Sequence, residues 1–353
     1  MKKHQVKKLE HELLHCAYLC SRSIQKAIAK PDILSICRDL SENILTEKYK
    51  PQNYTRFAVK DPKLREIYAP SFSDRIVHLW LANQFKPLMN RVLIDDTYAS
   101  REKKGTLAAI NKVQKIMRQP THKFYLQLDI QSFFNHIDKN RLKAKLYELI
   151  ERKADWSPLR KYTIIYLVDR IINHDTARES FTLSGQRTLL ITIPKHKLLT
   201  FSPNGIGLPI GSVTSQMFAN FYLNSLDHFI KHDLKVKGYV RYMDDPILFS
   251  NERPTLINWK NKIAHFLDSN LKLSLHPTKQ ALQPVSLGAN YLGYIIYPHY
   301  KHIRNNTLKN LKKRLVFFNA LLEDNHINAE HIPSRGFWPR FMGSNRNCSP
   351  TRC

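Results

Sequence analysis

Three aspartates occupy positions from which carboxylates could do chemistry together. Asp129 lies in LQLDIQSFF, and Asp244 and Asp245 stand side by side in YVRYMDDPILF, 115 residues later. A single aspartate at a strand end is commonly a cap or one half of a surface ion pair. Two in one tight turn between apolar strands are less ordinary, because adjacent like charges cost free energy unless cations or hydrogen bonds neutralise them. Adjacent core strands, parallel or antiparallel, would bring Asp129 close to that turn. Three convergent carboxylates suit two Mg²⁺ ions, hard cations whose octahedral shells phosphate oxygens would complete.

A second constellation is weaker. HELLH, residues 11–15, matches the HExxH pattern that places two imidazoles and a glutamate on one helical face. A zinc protease would use His11 and His15 as ligands and Glu12 as general base, with Cys16 and Cys20 as further soft ligands. Nothing nearby completes such a site, and proteolysis offers no reason for the chain's charge. A basic amphipathic helix is the preferred reading.

Charge is the outlying property. The 353 residues carry 56 Lys and Arg against 29 Asp and Glu, a formal +27, and 42% of them are hydrophobic. The hydrophobic content excludes a globally disordered chain, and the basic excess points to a polyanionic partner, nucleic acid or an anionic membrane. No run of 18 apolar residues is present, and the opening MKKHQVKKLE lacks the apolar segment of a secretory signal. Five cysteines make an odd, thin set that argues against a disulfide framework. The expectation is a reduced, soluble, basic and mostly globular protein in two or three lobes.

The elements that must position the aspartates alternate between α and β, without an internal repeat. LEHELLHCAYLCSRSIQKAIAK predicts a helix stopping before Pro31, and ILSICRDLSENIL a second. Residues 51–70 predict short strands joined by a turn at DPK. SDRIVHLWLANQFKPLMN predicts a helix capped by Ser73 or Asp74, and 103–118 another. KFYLQLDIQSFF, residues 123–134, predicts the first core strand, 139–173 helices, and LLITI a strand. SVTSQMFANFYLNSLDHFIKHDL predicts a helix of over four turns. VKGYVRYMDDPILFS predicts strand, tight turn and strand, followed by a helix, short strands and a basic helical C-terminal segment.

In this setting the chain resembles a reverse transcriptase. YMDD, residues 242–245, is similar to that family's catalytic turn, and LDIQSFFNHID to its first carboxylate motif. GLPIGSVTSQMFANFYLNSLDHF, residues 207–229, resembles the substrate-pocket motif and following helix, and LSLHPTKQ and NYLGYII two later motifs. FAVKDPKLREIYAPSFSDRIVH looks like the fingers sequence of prokaryotic members. Five motifs in order, over roughly residues 50–315, are far more specific than YMDD alone. Within the family the chain is most similar to the enzymes of diversity-generating retroelements. Group II intron relatives carry a glutamine before the pocket glycine, whereas here Ile210 precedes Gly211 and is followed by SVTSQ, with Ser215 and Gln216.

The resemblance implies an α+β right-hand polymerase, with an N-terminal extension and fingers over 1–118, an antiparallel-sheet palm over 119–300 and a short helical thumb over 301–353. It implies error-prone cDNA synthesis from a retroelement template RNA, using two Mg²⁺ and deoxynucleoside triphosphates. The partners implied are the template RNA, primer, cDNA and a small basic accessory protein; the setting implied is the cytoplasm of a prokaryote, or a phage gene. Asp129, Asp244 and Asp245 are the implied metal ligands, with the Ile130 carbonyl completing one shell. Lys279 would protonate or shield pyrophosphate. Arg65, with Lys63 second, would reach the triphosphate, since an arginine fork fits phosphate better than a lysine. Phe134, five residues after Asp129, would stand under the sugar and exclude a ribose 2′-hydroxyl.

Ile210, Gly211 and Gln216 would line the base-selecting pocket, where isoleucine offers shape but no directional hydrogen bond. Met243 would touch the substrate sugar, Tyr242 the primer backbone, and Leu292 and Gly293 would form the turn supporting the primer end. For each of these side chains the competing role is core or surface filling. Two features depart from the pattern. Pro246 follows MDD directly, fixing φ and removing an amide donor. The tail SRGFWPRFMGSNRNCSPTRC is at most a distant echo of the subclass ending, which leaves the completeness of the thumb open. Group II-like, retron and phage-defence reverse transcriptases are the alternatives, and an RNA-binding scaffold with a retained palm is the non-enzyme one.

Overall fold

The computed structural model describes residues 3–21, 30–60, 63–179 and 181–323. In chain order the elements are α1 (Lys3–Ser21), α2 (Lys30–Leu45), β1 (Tyr54–Val59), β2 (Arg65–Ala69), α3 (Phe72–Val92), α4 (Thr106–Met117), β3 (Phe124–Gln127), α5 (Phe133–His136), α6 (Lys139–Lys153), α7 (Pro158–Asn173), β4 (Phe181–Leu183), α8 (Arg187–Ile191), α9 (Val213–Tyr222) and α10 (Asn224–His228). They continue with β5 (Gly238–Tyr242), β6 (Asp245–Ser250), α11 (Arg253–Phe266), β7 (Ala281–Pro284), β8 (Ala289–Tyr291), β9 (Tyr294–Ile296), β10 (Lys301–Ile303) and α12 (Asn305–Glu323). The fold is α+β. No described helix is long and apolar enough to cross a membrane.

The chain divides into two units. The first comprises Met1–Ile94, Ile130–Phe229 and Ile263–Leu275; the second comprises Asp95–Asp129, Ile230–Lys262 and His276–Cys353. In the first, β2, β1 and β4 form a small sheet beside the helices. Helix α3 starts at Ser71, whose hydroxyl accepts from the Asp74 amide. The expected cap at Ser73 or Asp74 is therefore displaced by two or three residues, because Asp74 serves as the acidic N3 partner. Its carboxylate is fully buried and accepts from Tyr49 Oη, the Gln52 amide and Ser71 Oγ at 2.8–2.9 Å. One turn on, His78 meets Tyr54 Oη at 2.9 Å and Thr214 Oγ1 at 2.6 Å. Burial first, and then the neighbouring His174, hold His78 down to about 3, so it is neutral.

The second unit is built on a four-stranded antiparallel sheet in the order β5-β6-β3-β7. One core cluster combines Tyr125, Val240, Ile247 and Phe249 of that sheet with Ala109, Ile110, Val113, Ile116 and Met117 of α4, and with Ala289, Tyr291 and Ile296. The last three come from β8 and β9, which form a smaller sheet with β10. The i, i+1, i+4, i+7, i+8 spacing of the α4 residues supplies the apolar stripe that covers the sheet.

Three local expectations change. The strand over 123–134 ends at Gln127, and Ser132 adopts a left-handed φ of 43°, so Phe133 and Phe134 lie on α5. Leu189–Ile191 of LLITI are helical in α8, where Leu190 packs as an apolar face against Ala58 of β1 and Leu183 of β4 instead of pairing as a strand. Pro31 lies in the first turn of α2, where its missing N–H costs nothing, and residues 22–29, which the first helix was expected to cover, lie outside the described residues. The tail over 334–353, and with it most of the expected thumb, also lies outside the described residues.

The HELLH segment sits on α1. Glu12 accepts from Trp80 Nε1 and Arg160 at 2.8 Å each, while His11 and His15 are exposed. Burial pushes the Cys16 thiol up to about 12 and the Cys37 thiol up to about 11, so neither offers a thiolate. These residues anchor a helix.

Candidate active site

The sheet of the second unit gathers the sequence-predicted carboxylates through its register. β3 pairs with β6 so that Gln127 faces Ile247, and with β7 so that Gln127 faces Ala281. Continuing the β6 ladder by two residues sets Asp129 opposite Asp245. On the β7 side the ladder ends at Gln127, the Asp129 carbonyl accepts from the His276 amide, and Lys279 reaches Asp129 through its side chain. Two contacts fix this arrangement past the end of β3. The Leu128 amide donates to the Pro246 carbonyl at 3.0 Å, and Lys279 Nζ lies 3.4 Å from Asp129 Oδ2. Asp245, Asp129 and Lys279 thus form a row across one end of the sheet.

Asp244 joins the row through the β5–β6 hairpin. Tyr242 pairs with Asp245, leaving Met243 and Asp244 as a two-residue turn. Met243 takes φ 57°, a conformation that hairpin turns normally fill with glycine, asparagine or aspartate. A long side chain there is strained and persists only where the surroundings over-determine it. Two buried side chains hold the turn. Arg241, with no exposed surface, donates from one guanidinium nitrogen to the Met243 carbonyl at 2.8 Å. Tyr291 Oη donates to the Asp245 carbonyl at 2.8 Å. Burial, and then the Asp245 carboxylate, push the Tyr291 phenol well above its ordinary value, so it remains a donor.

Sequence reasoning missed both residues, and also His276. Nδ1 of His276 accepts from the Thr278 and Lys279 amides at 3.3 Å, while its own amide donates to the Asp129 carbonyl at 2.7 Å. That folds HPTK into the turn presenting Lys279. The legible signal was Arg241 itself: a charged residue inside the apolar strand YVRY has to find buried partners.

Pro246 is compatible with this arrangement. Its pair with Arg241 is one step beyond the hydrogen-bonded Tyr242–Asp245 pair, so its nitrogen points toward Leu128, where β3 has already ended. The bond from Leu128 is accepted and cannot be returned, which stops the ladder next to Asp129.

Tyr242 and Leu292 both pack on the core cluster, and Thr106 Oγ1 donates to Tyr242 Oη at 3.2 Å. Leu292 and Gly293 form a second two-residue hairpin turn, between β8 and β9, with φ of 50° and 86°. Two positive values in succession are the type I′ pattern, which Gly293 satisfies without strain.

The remaining predicted residues belong to the first unit. Ile130 bridges to Leu275 and is buried. Phe133 is buried against the core, whereas Phe134 is half-buried, so the two rings face differently on α5 as they would have on a strand. The Ile210 carbonyl accepts from the Tyr68 amide of β2 at 2.8 Å. Gly211 then passes so near that strand that a Cβ would lie 2.0 Å from the Tyr68 carbonyl oxygen. No other residue fits there. Ile67, on the same β2 face as exposed Arg65, lies against Gly211, so register brings Arg65 toward the pocket motif. Lys63 is exposed before β2. Gln216 follows the Ser212 cap in the first turn of α9, and Ser212 Oγ accepts from the Ser215 amide at 3.1 Å.

The three aspartates are hard oxygen donors at half-exposed positions, a donor set that fits Mg²⁺ rather than zinc or copper. Among the described residues no three His, Cys, Asp or Glu side chains are drawn together as around a bound ion.

Comparison with known proteins places this geometry in a family. Residues 58–296 match the family model described as reverse transcriptase (RNA-dependent DNA polymerase). Among solved structures, the chain is similar to apo telomerase from Candida tropicalis, with a TM-score of 0.50 and 12% identity over 76% of this chain and 53% of that one. The same telomerase truncated from its C-terminal domain gives a TM-score of 0.51 and 12% identity over 77% of this chain and 60% of that one. The chain therefore spans less than two thirds of the telomerase chains it matches, and at this identity the likeness is one of fold. The matched segment contains the Asp129 strand end, the Ile210–Gly211 motif, the Met243–Asp244 turn and the Leu292–Gly293 turn, and by that match the chain belongs to the reverse transcriptase family.

Proposed function

We propose that the protein is an RNA-directed DNA polymerase making error-prone cDNA from a retroelement template RNA, of the diversity-generating kind. The observation that carries the catalytic part is the row of Asp245, Asp129 and Lys279 at one sheet end, with Asp244 in the adjoining strained turn. In this reading residues 1–118 serve as fingers, 119–300 as palm, and 301 onward as thumb. Held by Asp129, Asp244 and Asp245, with the Ile130 carbonyl as a further oxygen, two Mg²⁺ ions would supply activation of the primer 3′-hydroxyl and neutralisation of triphosphate charge. The bond formed joins the 3′-oxygen to the α-phosphorus, the bond broken releases pyrophosphate, and the hydroxyl proton is lost. Lys279, a half-exposed ammonium 3.4 Å from Asp129, donates a proton to the departing pyrophosphate or shields its charge.

Arg65 and Lys63 bind the triphosphate, Phe134 excludes the ribose 2′-hydroxyl, and Met243 touches the substrate sugar. Tyr242, Leu292 and Gly293 hold the primer. Ile210, Gly211 and Gln216 seat the incoming base. Apolar Ile210 beside the invading backbone of Gly211 favours the diversity-generating reading over a group II-like, retron or phage-defence enzyme, because it withholds the directional contact that would penalise a misplaced base. The partners are template RNA, primer, cDNA and a small basic accessory protein, in a prokaryotic cytoplasm.

The test is Mg²⁺-dependent extension on one RNA carrying all four template bases in matched contexts, with the cDNA sequenced, with and without the neighbouring gene product. Template-dependent synthesis with errors concentrated at adenines is the expected result, and Ile210→Gln should lower that adenine fraction. No extension favours the scaffold reading; accurate extension favours one of the other enzymes.

A further inference from the structure

The β9–β10 hairpin carries three aromatic rings that no part of the reaction uses. Its loop, Tyr297–Pro298–His299–Tyr300, is closed by the Tyr297 amide donating to the Tyr300 carbonyl at 2.9 Å. Tyr297 and Tyr300 stack with centroids 4.5 Å apart and planes 18° from parallel. His302 lies 6.3 Å from Tyr300 with planes 19° apart, and 5.8 Å from Tyr297. The lowest ring is seated on backbone, since a Cβ on Gly288 would come within 2.7 Å of Tyr297 Cζ. Tyr300 is 58% exposed, and His299 and His302 are exposed as well.

This surface is held rigidly and is electropositive. Asn111, Gln114 and Arg118 follow one face of α4, three and four residues apart. Gln114 Nε2 donates to the Tyr297 carbonyl at 3.1 Å, Arg118 Nε donates to the Pro298 carbonyl at 2.6 Å, and Lys301 Nζ donates to Asn111 Oδ1. From Ser269 to Leu322 the chain has no Asp or Glu, while Lys301, Arg304, Lys309, Lys312, Lys313 and Arg314 lie on or just after the hairpin. A cross-strand aromatic pair would stabilise the hairpin with its rings half-covered. An exposed ring pre-aligned on a second ring, beside Arg118 and Lys301, is the arrangement that receives an unpaired nucleobase, which gains π-stacking from the ring and screening of its phosphates from the cations.

We infer that Tyr300, supported by Tyr297 and His302, is a stacking platform for one unpaired base of a single strand. The inference rests on the nucleic-acid reading above. The platform and the Leu292–Gly293 turn lie at opposite ends of β9, which at its rise per residue is about 10 Å long. That is about three nucleotides of a stacked strand. The platform therefore engages a single-stranded segment a few nucleotides from the primer-supporting turn.

The test uses the full-length protein and a single-stranded oligonucleotide containing 2-aminopurine, whose fluorescence falls on stacking, in RNA and DNA forms. Quenching with the parent protein is expected, retained in Tyr300→Trp and lost in Tyr300→Leu, with about tenfold weaker binding in the leucine variant. Because stacking is not an ionic term, that ratio should persist when added salt weakens all three proteins. The RNA and DNA arms identify which strand is held. Equal quenching and affinity in parent and leucine variant overturns the inference. In parallel, 5-iodouridine crosslinking of the unaltered protein should map to Tyr300, Tyr297 or His302, and crosslinks confined elsewhere also overturn it. Extension of a primer paired along its whole length to a longer RNA template is measured alongside. If extension fails while quenching survives, the polymerase reading is lost and the platform stands; if quenching fails while extension survives, the reverse holds.

Discussion

Two of the aspartate clusters in this molecule are built on opposite principles. In the first unit, Asp74 has no exposed surface and its carboxylate accepts three hydrogen bonds, while His78 one turn on is closed between Tyr54 and Thr214. In the second unit, Asp129, Asp244 and Asp245 are partly exposed at one sheet end, with Lys279 at the edge of the row and one hairpin residue in a strained conformation. The first arrangement uses up the polar capacity of its groups, so it fixes the start of α3. The second brings like charges together where solvent and ligands reach them. Their mutual repulsion is what a cation would relieve.

The largest expected difference between the clusters is in activity. Asp244→Asn should lower Mg²⁺-dependent extension on the order of a thousandfold, an effect of the size seen when transition-state charge stabilisation is lost. Primer–template affinity of the folded variant should change far less than extension, since the carboxylate is needed in the chemical step. A variant with near-parental extension would remove Asp244 from the chemistry. Asp74→Ala should do the opposite. It strands the buried Tyr49 hydroxyl and two partly buried donors, at Gln52 and Ser71, and should cost about 3 kcal/mol in urea unfolding. Extension by the fraction still folded should be unchanged. If Asp74→Ala melts like the parent, the buried cluster is not what fixes α3.

Acidity should separate the clusters next. His78 is held down to about 3 in the folded chain, against about 6.5 for a free histidine. The unfolded chain therefore binds a proton that the folded chain refuses. The stability contributed by neutral His78 is fully present above about pH 6.5 and is lost as pH falls from there toward 3, by up to about 1.4 kcal/mol per pH unit. His174, also lowered chiefly by burial, acts in the same direction. Urea melts from pH 7.5 to 4.5 should show this slope, and His78→Asn should flatten it. An unchanged slope in that variant would assign the acid sensitivity to other groups.

The smallest predicted effect sharpens the catalytic side. Tyr291→Phe removes one hydrogen bond to the Asp245 carbonyl and should cost about 1 kcal/mol. The loss should appear in the Mg²⁺ concentration needed for half-maximal extension rather than in primer affinity, because the bond acts on the carboxylate hairpin. Arg241→Met should move the same reading further, since it withdraws a buried cation as well as the bond to Met243. A change confined to primer affinity would place both residues with the Leu292–Gly293 turn instead.

Much of this was legible from residue order. The alternation in YVRYMDDPILFS specifies a hairpin, because period-2 patterning and a two-residue polar turn are local properties. The stripe over residues 106–117 specifies α4, and the Ile210–Gly211 pair was singled out by motif resemblance. Other features were not local. LLITI has the composition of a strand, yet its first three residues are helical and Leu190 is buried against the β1–β4 sheet, a packing that only the fold supplies. KFYLQLDIQSFF reads as one strand, yet its pairing with β6 stops before Asp129, where Pro246 cannot return a bond to Leu128, and only a lone bridge from Ile130 to Leu275 follows. The glycine at 211 is explained only by the Tyr68 carbonyl, 143 positions earlier in the chain.

The sequence by itself determined the chemical inventory: three carboxylates, a lysine, a strongly basic chain and the residues that make each turn. Those follow from side-chain chemistry and from interactions spanning a few residues. Tertiary structure decided the alignment. The register of β3 against β6 sets Asp129 opposite Asp245, the turn after His276 brings the Lys279 ammonium to Asp129, and the packing of β8 against the main sheet sends the Tyr291 hydroxyl to the Asp245 carbonyl. Register is a relation between segments more than a hundred residues apart, and a shift of one residue would turn every side chain to the other face. Only the buried core across α4, the main sheet and the small sheet excludes that shift.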